Sequence, residues 1–223
     1  MKYKAIIFDM DGTIIDTEHV WKLATKKLIE QKKIILTEQQ SCELYGQLTG
    51  LALPDSCLLI KQITCIEDNI QDLMREKMCL ANSMYTTGIQ FIKGFIEFHA
   101  KAQKLQLKMA IATNAHEDTV KVTQDALKLS DYFGSHIYCV SHVKNPKPNP
   151  DIYLHAAKNI EIDPSECIAI EDSAPGITAA KTAGMFCIGI NTAKRPDTLK
   201  DAHLVINNYE ELTLPDYIFK KEK

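Results

Sequence analysis

The chain has 223 residues, of which 45% are hydrophobic and 25% are charged, and its formal net charge is −3. The composition is typical of a globular protein, and the length allows one large domain, or a core domain with a smaller second one. Because the chain has no overall basic field, we expect no nucleic-acid partner and no binding to an anionic membrane surface. No apolar stretch approaches the length of a membrane span.

Seven cysteines are spread along the chain, and none of them forms a C-x-x-C pair. The odd number and the missing pairs argue against a disulfide framework and against a zinc site. Such free cysteines fit a reducing compartment, so we expect a cytoplasmic protein. We also expect a monomer or a weak dimer.

Short apolar runs alternate with helical patterns from Met1 to about Asp16, and again from about Gly88 onward. The runs are predicted to be strands at Ala5–Phe8, Lys108–Ala112, His136–Val140, Cys167–Ile170, Phe186–Ile190 and Leu204–Ile206. The patterns between them are predicted to be helices at Gly94–Lys104, His116–Leu127, Pro150–Asn159 and Pro175–Ala183. This alternation predicts an α/β fold with a Rossmann-like parallel sheet flanked by helices.

The segment between these two parts contains no convincing strand pattern. Its predicted helices are Glu18–Lys32, Thr37–Tyr45, Pro54–Thr64 and Ile66–Asn82. We therefore predict an α/β core formed by residues 1–16 and 88–223, and an α-helical domain, residues 17–87, inserted after the first strand.

Two sequence signals mark helix starts. Thr37 and Gln40 have the spacing of a capping box, in which each side chain accepts the other residue's main-chain N–H. Ser173 stands two residues before Pro175, an order typical of an N-cap followed by the first helical turn. We expect both Thr37 and Ser173 to accept main-chain N–H groups.

The stretch FDMDGTIIDTE, Phe8–Glu18, places Asp9 and Asp11 directly after the first predicted strand. Ligands of an open parallel sheet bind beyond the carboxyl ends of its strands, where the strand order reverses. Other polar side chains that follow predicted strands are Thr113, Asn114, Lys147, Glu171 and Asp172. We therefore expect these side chains to converge on one crevice.

These residue types suit the transfer of a phosphoryl group to a carboxylate. An anion that attacks a phosphate dianion is repelled, and a divalent cation together with a lysine offsets this repulsion. Oxygen ligands and a phosphate partner favour Mg²⁺ over zinc. A second carboxylate can protonate the leaving oxygen if its pKa is raised relative to the first. Gly12 would let the backbone turn so that its N–H groups face the phosphate.

Each signal also has an ordinary structural interpretation. The D-x-D-G-T pattern can close a strand as a polar turn, and Thr113-Asn114 can begin one. Lys147 can be a solvated loop lysine, and Glu171-Asp172 can complement a helix dipole. Their joint occurrence in order, each beyond a predicted strand, favours a functional site.

Four segments, DMDGT, ATN, KPNPD and EDSAPGITAAKTAGM, resemble in order the four motifs of the haloacid dehalogenase-like (HAD) superfamily. The resemblance is closest to the branch of small sugar-phosphate phosphatases and β-phosphoglucomutase-like enzymes. It covers Met1–Asp16 and about Gly88–Asn208, and the first and fourth motifs are the most specific. The helical insertion looks like the α-helical cap domain of that family.

The resemblance implies a metal centre built from carboxylates. Asp9 would be the nucleophile and a Mg²⁺ ligand. Asp11 would be the general acid and base, with its main-chain carbonyl on the metal. Asp172 would be a further metal ligand, with Glu171 beside it as a ligand or as a support.

For the substrate, the resemblance implies that Thr113 and Lys147 bind the phosphoryl group and that Asn114 contacts the substrate. Asp11 argues for a phosphatase or a phosphomutase, because the family's dehalogenases and transport ATPases lack this aspartate. The expected function is a Mg²⁺-dependent phosphatase of a small phosphorylated metabolite, with a sugar phosphate as the expected class. A phosphomutase stays open as the alternative, because the cap decides whether water or a sugar hydroxyl is the acceptor. A non-catalytic phosphate-binding module is disfavoured, because no motif residue has been lost.

Overall fold

A computed structural model describes residues 2–48, 51 and 53–212 of the protein. Residues 213–223, the C-terminal end of the predicted core, lie outside the described residues. The chain divides into two compact units: an α/β unit, Met1–Asp16 with Gln90–Lys223, and a helical unit, Thr17–Ile89.

The elements of the described residues are numbered in chain order. The strands are β1 (Ala5–Phe8), β2 (Ile15–Asp16), β3 (Gln90–Phe91), β4 (Lys108–Ala112), β5 (Ile137–Tyr138), β6 (Cys167–Glu171), β7 (Phe186–Ile190) and β8 (Leu204–Ile206). The α-helices are α1 (Glu18–Gln31), α2 (Glu38–Gln47), α3 (Leu53–Thr64), α4 (Ile70–Gly88), α5 (Phe95–Lys104), α6 (Glu117–Leu127), α7 (Ser130–Phe133), α8 (Asp151–Asn159) and α9 (Ala174–Thr182).

The main sheet of the α/β unit has six parallel strands in the order β5-β4-β1-β6-β7-β8. Its register pairs Phe8 of β1 with Ile111 of β4 and with Ile170 of β6. The residues that follow these three strands therefore meet at one edge of the sheet, where the strand order reverses. The predicted α/β fold with a parallel, Rossmann-like sheet is confirmed.

The core of the α/β unit combines the sheet with α8 and α9. Its fully buried side chains include Ile7 of β1, Ala110 of β4, Tyr153 of α8 and Ile177 of α9. Continuous apolar strands of this kind are expected where helices cover a parallel sheet. Ser173 caps α9 by accepting the Gly176 N–H at 3.2 Å, as its sequence position predicted.

One predicted strand is shorter than expected. The strand predicted at His136–Val140 contains only Ile137 and Tyr138, and Val140–His142 forms a 3-10 helix. The side chain of His142 accepts the Cys139 N–H at 3.0 Å, so this N–H is not available to extend the strand pairing. The sequence pattern shows the apolar run but not this side-chain hydrogen bond.

The strands β2 and β3 were not predicted. They form a two-residue antiparallel pair, in which Ile15 pairs with Phe91 and Asp16 with Gln90. Two residues are too few to show a strand period in a sequence. The pair joins the two chain passages that leave the main sheet for the inserted segment.

The helical unit has its own apolar core. Each of its four described helices contributes a fully buried side chain: Leu28 of α1, Leu44 of α2, Ile60 of α3 and Leu73 of α4. None of the helices within the described ranges combines the length and the apolar character that a membrane crossing requires.

The capping box of α2 is confirmed. The Thr37 hydroxyl accepts the Gln40 N–H at 3.2 Å, and the Gln40 side chain accepts the Thr37 N–H at 3.0 Å.

The limits of α4 differ from the prediction, since it begins at Ile70 and ends at Gly88. Asn69 sets its start by accepting the Gln71 N–H at 2.8 Å.

Candidate active site

A buried lysine joins two of the predicted carboxylates. The Nζ atom of Lys147 lies 2.5 Å from Oδ1 of Asp9 and 2.6 Å from Oε1 of Glu171. Asp9 follows β1, Glu171 ends β6, and Lys147 lies in the segment before α8. All three are buried. The parallel register therefore brings together residues that lie far apart in the sequence.

Both carboxylate oxygens of Glu171 are held by hydrogen bonds. Oε1 accepts from Lys147 and from the Tyr153 hydroxyl at 2.9 Å. Oε2 accepts from the main-chain N–H of Ser173 at 3.2 Å and from its hydroxyl at 2.9 Å. A Cβ atom added at Gly176 would lie 1.8 Å from Oε1, so only glycine leaves room for this carboxylate. A direct metal–Glu171 bond would have to displace one of these contacts.

Three carboxylates form a group that can hold a metal ion. Oxygen atoms of Asp9, Glu171 and Asp172 all lie within 4.8 Å of one another. When all three are ionised, the charge of Lys147 leaves two negative charges uncompensated, which matches one divalent cation. Oxygen donors of this kind suit a hard cation such as Mg²⁺.

The raised pKa values of the carboxylates also favour a bound cation. Burial raises the pKa of Asp9 to about 7, with Glu171 and Asp11 adding to the rise and Lys147 opposing it. Burial, followed by the charges of Asp9 and Glu171, raises the pKa of Asp172 well above its usual value. Without a further positive charge, these carboxylates are therefore difficult to ionise together.

Lys147 itself keeps its charge. Burial acts to lower the pKa of its ammonium, but the ion pairs with Asp9 and Glu171 outweigh burial and raise the pKa above its usual value. The site therefore presents a fixed positive charge next to Asp9. Such a charge suits the binding of a phosphoryl group.

The turn after β1 carries Asp11. The Gly12 N–H donates to the Ile15 carbonyl at 2.8 Å, and Gly12 has a φ of +75°. A Cβ atom added at Gly12 would lie 2.1 Å from Oδ2 of Asp172, so the backbone passes directly against this carboxylate. Asp11 is half-buried, and its charge contributes to the raised pKa values of Asp9 and Asp172.

The other two predicted residues follow β4. Thr113 is buried, and its hydroxyl accepts the Ala115 N–H at 3.0 Å. Asn114 is exposed, and its amide binds the main chain of Lys147 twice: Nδ2 donates to the carbonyl at 3.2 Å, and Oδ1 accepts the N–H at 3.0 Å. Asn114 therefore fixes the segment that carries the lysine.

Sequence reasoning missed the part that Tyr153 and Ser173 play in the site. Tyr153 was predicted only as part of a helix, and Ser173 only as a helix cap. Their hydroxyls hold Glu171, which in turn holds Lys147. The only available signal was the position of Ser173, two residues after Glu171.

Comparisons with known proteins agree with the motifs. A sequence model of the haloacid dehalogenase-like hydrolase family matches residues 6–190. The chain is 25% identical to the validoxylamine A 7'-phosphate phosphatase of Streptomyces hygroscopicus subsp. limoneus, over 96% of this chain and 97% of the relative. It is 29% identical to the β-phosphoglucomutase of Bacillus subtilis (strain 168), over 95% of this chain and 92% of the relative.

A solved structure supports the same family. The crystal structure of a HAD hydrolase, family IA, variant 3, from Entamoeba histolytica HM-1:IMSS has a TM-score of 0.79 at 26% identity. The match covers 96% of this chain and 97% of that one. The chain belongs to the haloacid dehalogenase-like hydrolase family. The predicted family and the predicted class of enzyme, a hydrolase, are confirmed.

Proposed function

We propose that the protein is a Mg²⁺-dependent phosphatase that hydrolyses a small phosphorylated metabolite, of the sugar-phosphate class, through an aspartyl-phosphate on Asp9. The observation that carries this proposal is the buried contact between Asp9 and Lys147, which holds a carboxylate and an ammonium side by side at a strand end. A relative matched over nearly its whole length is a validoxylamine A 7'-phosphate phosphatase, which supports a phosphate ester as the substrate.

The residues present fit a bound Mg²⁺ ion. Asp9, Asp172 and the main-chain carbonyl of Asp11 would hold it, and Glu171 would support the site through Lys147. The bound ion supplies positive charge that offsets the repulsion between a carboxylate and a phosphoryl group. The oxygen donors and the two uncompensated charges favour this assignment.

The reaction would take place in two steps. An oxygen of Asp9 attacks the phosphorus, the bond to the ester oxygen breaks, and Asp11 gives its proton to the leaving oxygen. Asp11 then takes a proton from water as the water oxygen attacks the phosphorus, and the bond to Asp9 breaks to release phosphate. Lys147 and Thr113 would hold the phosphoryl oxygens. The substrate contact of Asn114 stays a prediction.

A phosphomutase is the second candidate, because a β-phosphoglucomutase is among the relatives and matches 95% of this chain. A sugar hydroxyl would then replace water in the second step. A non-catalytic module is disfavoured by the intact set Asp9, Asp11, Lys147 and Asp172. The same proposal includes a cytoplasmic location, a small-molecule partner, a helical cap domain and a monomeric or weakly dimeric state.

A panel of phosphate esters tests the function. We would incubate the protein with 4-nitrophenyl phosphate, fructose 1-phosphate, a hexitol phosphate and β-glucose 1-phosphate, and measure both phosphate release and isomer formation. We expect Mg²⁺-dependent release of phosphate that EDTA abolishes. Asp9→Asn is expected to lower kcat by at least about 10³-fold, because the nucleophile is lost.

Asp125→Asn is the matched control, since Asp125 is an exposed carboxylate on α6. This variant is expected to keep the activity of the unchanged protein. Substantial activity in Asp9→Asn would contradict the assignment of Asp9 as the nucleophile. Isomer formation without net release of phosphate would replace the phosphatase with the phosphomutase.

A further inference from the structure

Two hydroxyl groups from distant parts of the chain hold the turn that carries Asp11. The Thr192 hydroxyl donates to the Gly12 carbonyl at 2.6 Å, across 180 residues of sequence. The Tyr209 hydroxyl donates to the Thr13 carbonyl at 3.0 Å, across 196 residues. The two main-chain carbonyls that directly follow Asp11 are therefore tied to the segments after β7 and β8.

Four main-chain N–H groups of the turn bond within it, and its Ile14 carbonyl accepts the Ile92 N–H at 2.9 Å from the segment after β3. The Met10 carbonyl accepts the N–H groups of Thr13, Ile14 and Ile15, at 3.4, 3.0 and 3.1 Å. The Gly12 N–H donates back to Ile15. The carbonyls that Thr192 and Tyr209 bind take no part in this internal pattern. They are the points at which the segments after β7 and β8 bind the turn.

Tyr209 is a rigid donor. It is 2% exposed, and its ring packs on Phe95 and Phe98 of α5, with centroid distances of 5.7 and 5.0 Å. Burial, together with the charges of Asp9 and Asp172, raises the pKa of its hydroxyl well above the usual value. The hydroxyl therefore stays protonated and keeps donating.

A displacement of the turn would move the Asp11 carboxylate relative to Asp172. Asp11 directly precedes Gly12, whose backbone lies against Asp172 with no room for a Cβ atom. We propose that Thr192 and Tyr209 are positioning residues that hold the carboxylate of Asp11 in place for proton transfer. They act through the main chain of Gly12 and Thr13. This inference rests on the proposed phosphatase function.

Proton transfer gives the inference a distinctive signature. An alkyl phosphate has a poor leaving group and needs a proton from Asp11 as the ester bond breaks, whereas 4-nitrophenolate leaves without one. The value of kcat/KM reports steps up to the formation of the aspartyl-phosphate. A misplaced Asp11 should therefore lower kcat/KM for the alkyl ester much more than for the aryl ester.

The test compares Tyr209→Phe and Thr192→Val with the unchanged protein. The substrates are 4-nitrophenyl phosphate and the alkyl ester of the panel that the unchanged protein hydrolyses fastest. We expect kcat/KM to fall about tenfold or more for the alkyl ester and less than about threefold for the aryl ester. Thr192→Ser keeps the hydroxyl and is expected to restore the activity.

Matched controls remove similar hydroxyls elsewhere in the α/β unit. Tyr138→Phe removes a buried tyrosine hydroxyl that bonds His136, and Thr123→Val removes a buried threonine hydroxyl that bonds the Thr119 carbonyl. Both are expected to leave the ratio of the two kcat/KM values unchanged. An equal loss for both esters in Tyr209→Phe would overturn the inference, because it would indicate a merely structural role.

Hydrogen exchange tests the tethers independently of activity. We expect the amides of residues 10–15 to exchange faster in Tyr209→Phe and Thr192→Val than in the two controls. Unchanged exchange in this turn would overturn the inference. Failure of the proposed function has a different signature, because the unchanged protein itself would then release no phosphate from either ester. The exchange result would still decide whether the two hydroxyls hold the turn.

Discussion

Each unit of the protein buries a lysine, and the two lysines have different surroundings. In the α/β unit, Lys147 contacts Asp9 and Glu171. In the helical unit, Lys77 of α4 is 2% exposed and donates to the Ser56 hydroxyl at 2.7 Å. Within the described part of the chain, no ion pair of Lys77 is found.

The two pKa values consequently move in opposite directions. Burial lowers the pKa of Lys77 to about 8. Burial acts on Lys147 in the same way, but its two carboxylate partners outweigh it and raise the pKa. Burial alone lowers the pKa of an ammonium group, and neighbouring carboxylates decide whether its charge persists. The carboxylates of the α/β unit maintain a charge that phosphate chemistry can use.

The largest effect is expected when Lys147 loses its charge. Lys147→Met leaves Asp9 and Glu171 buried without their ammonium partner, which typically costs about 3–5 kcal/mol of stability. It also removes the positive charge beside the nucleophile, so we expect kcat to fall by at least about 10³-fold. Urea denaturation and phosphate release from 4-nitrophenyl phosphate measure the two effects. A variant with unchanged stability would show that the ion pairs do not hold this site together.

The next largest effect is expected at a glycine of α9. Gly176→Ala in α9 would place a Cβ atom 1.8 Å from the Glu171 carboxylate, which is fully buried and held by hydrogen bonds on both oxygens. We expect a loss of about 2 kcal/mol from overpacking, together with lower activity as Glu171 and Lys147 are displaced. Urea denaturation and the phosphate-release assay check both expectations.

Gly46→Ala in α2 is the matched control in the helical unit. Apart from Gly46 itself, its two chain neighbours and the nearby backbone of α2, no described atom lies within 4 Å of the added Cβ position. Alanine favours a helix more than glycine does, so we expect a gain of about 0.5 kcal/mol. If the two glycine substitutions had equal effects, the close fit around Glu171 would be refuted.

The smallest effect concerns Lys77. Lys77→Met replaces a buried ammonium with an apolar side chain, and a lowered pKa of this size corresponds to a few kcal/mol. Part of this gain is offset because Ser56 loses its partner. We expect the variant to be more stable than the unchanged protein by about 1 kcal/mol at pH 7, measured by urea denaturation.

The extra stability of Lys77→Met over the unchanged protein is expected to shrink as the pH rises. Above pH 8 the folded protein releases the Lys77 proton, whereas the unfolded chain retains it up to about pH 10.4. The unfolded state then binds more protons, so the unchanged protein gains stability between these pH values. Urea denaturation at pH 7 and pH 9.5 tests this sign. Lys26→Met, at an exposed position of α1, is the control. A constant gap at both pH values would contradict the lowered pKa of Lys77.

Sequence reasoning found the residues whose positions follow from strand ends. Asp9 and Asp172 were predicted to meet because each follows a buried run, and a parallel register places such ends side by side. The capping box at Thr37 was predictable for a different reason, because its hydrogen bonds span only three residues of sequence. The shortened strand β5 was not, because the hydrogen bond from Cys139 to His142 is specific to one side chain.

The partners of the site were beyond the reach of the sequence pattern. Tyr153 has the position of an ordinary core aromatic on α8, and nothing in its neighbourhood shows that its hydroxyl reaches Glu171. Tyr209 and Thr192 lie 196 and 180 residues from the main-chain atoms that they bind. Hydrogen bonds across such distances exist only after the chain has packed.

The alternation of strands and helices, the order of the four motifs and the residue types available for the chemistry can all be read from the unfolded chain. These features depend on local periodicity and spacing, which the chain carries whether or not it is folded. Packing, in contrast, is what surrounds the charge of Lys147 with two carboxylates and what lowers the pKa of Lys77 through burial. Charge and pKa depend on which groups surround a side chain and on how much water remains, and folding determines both.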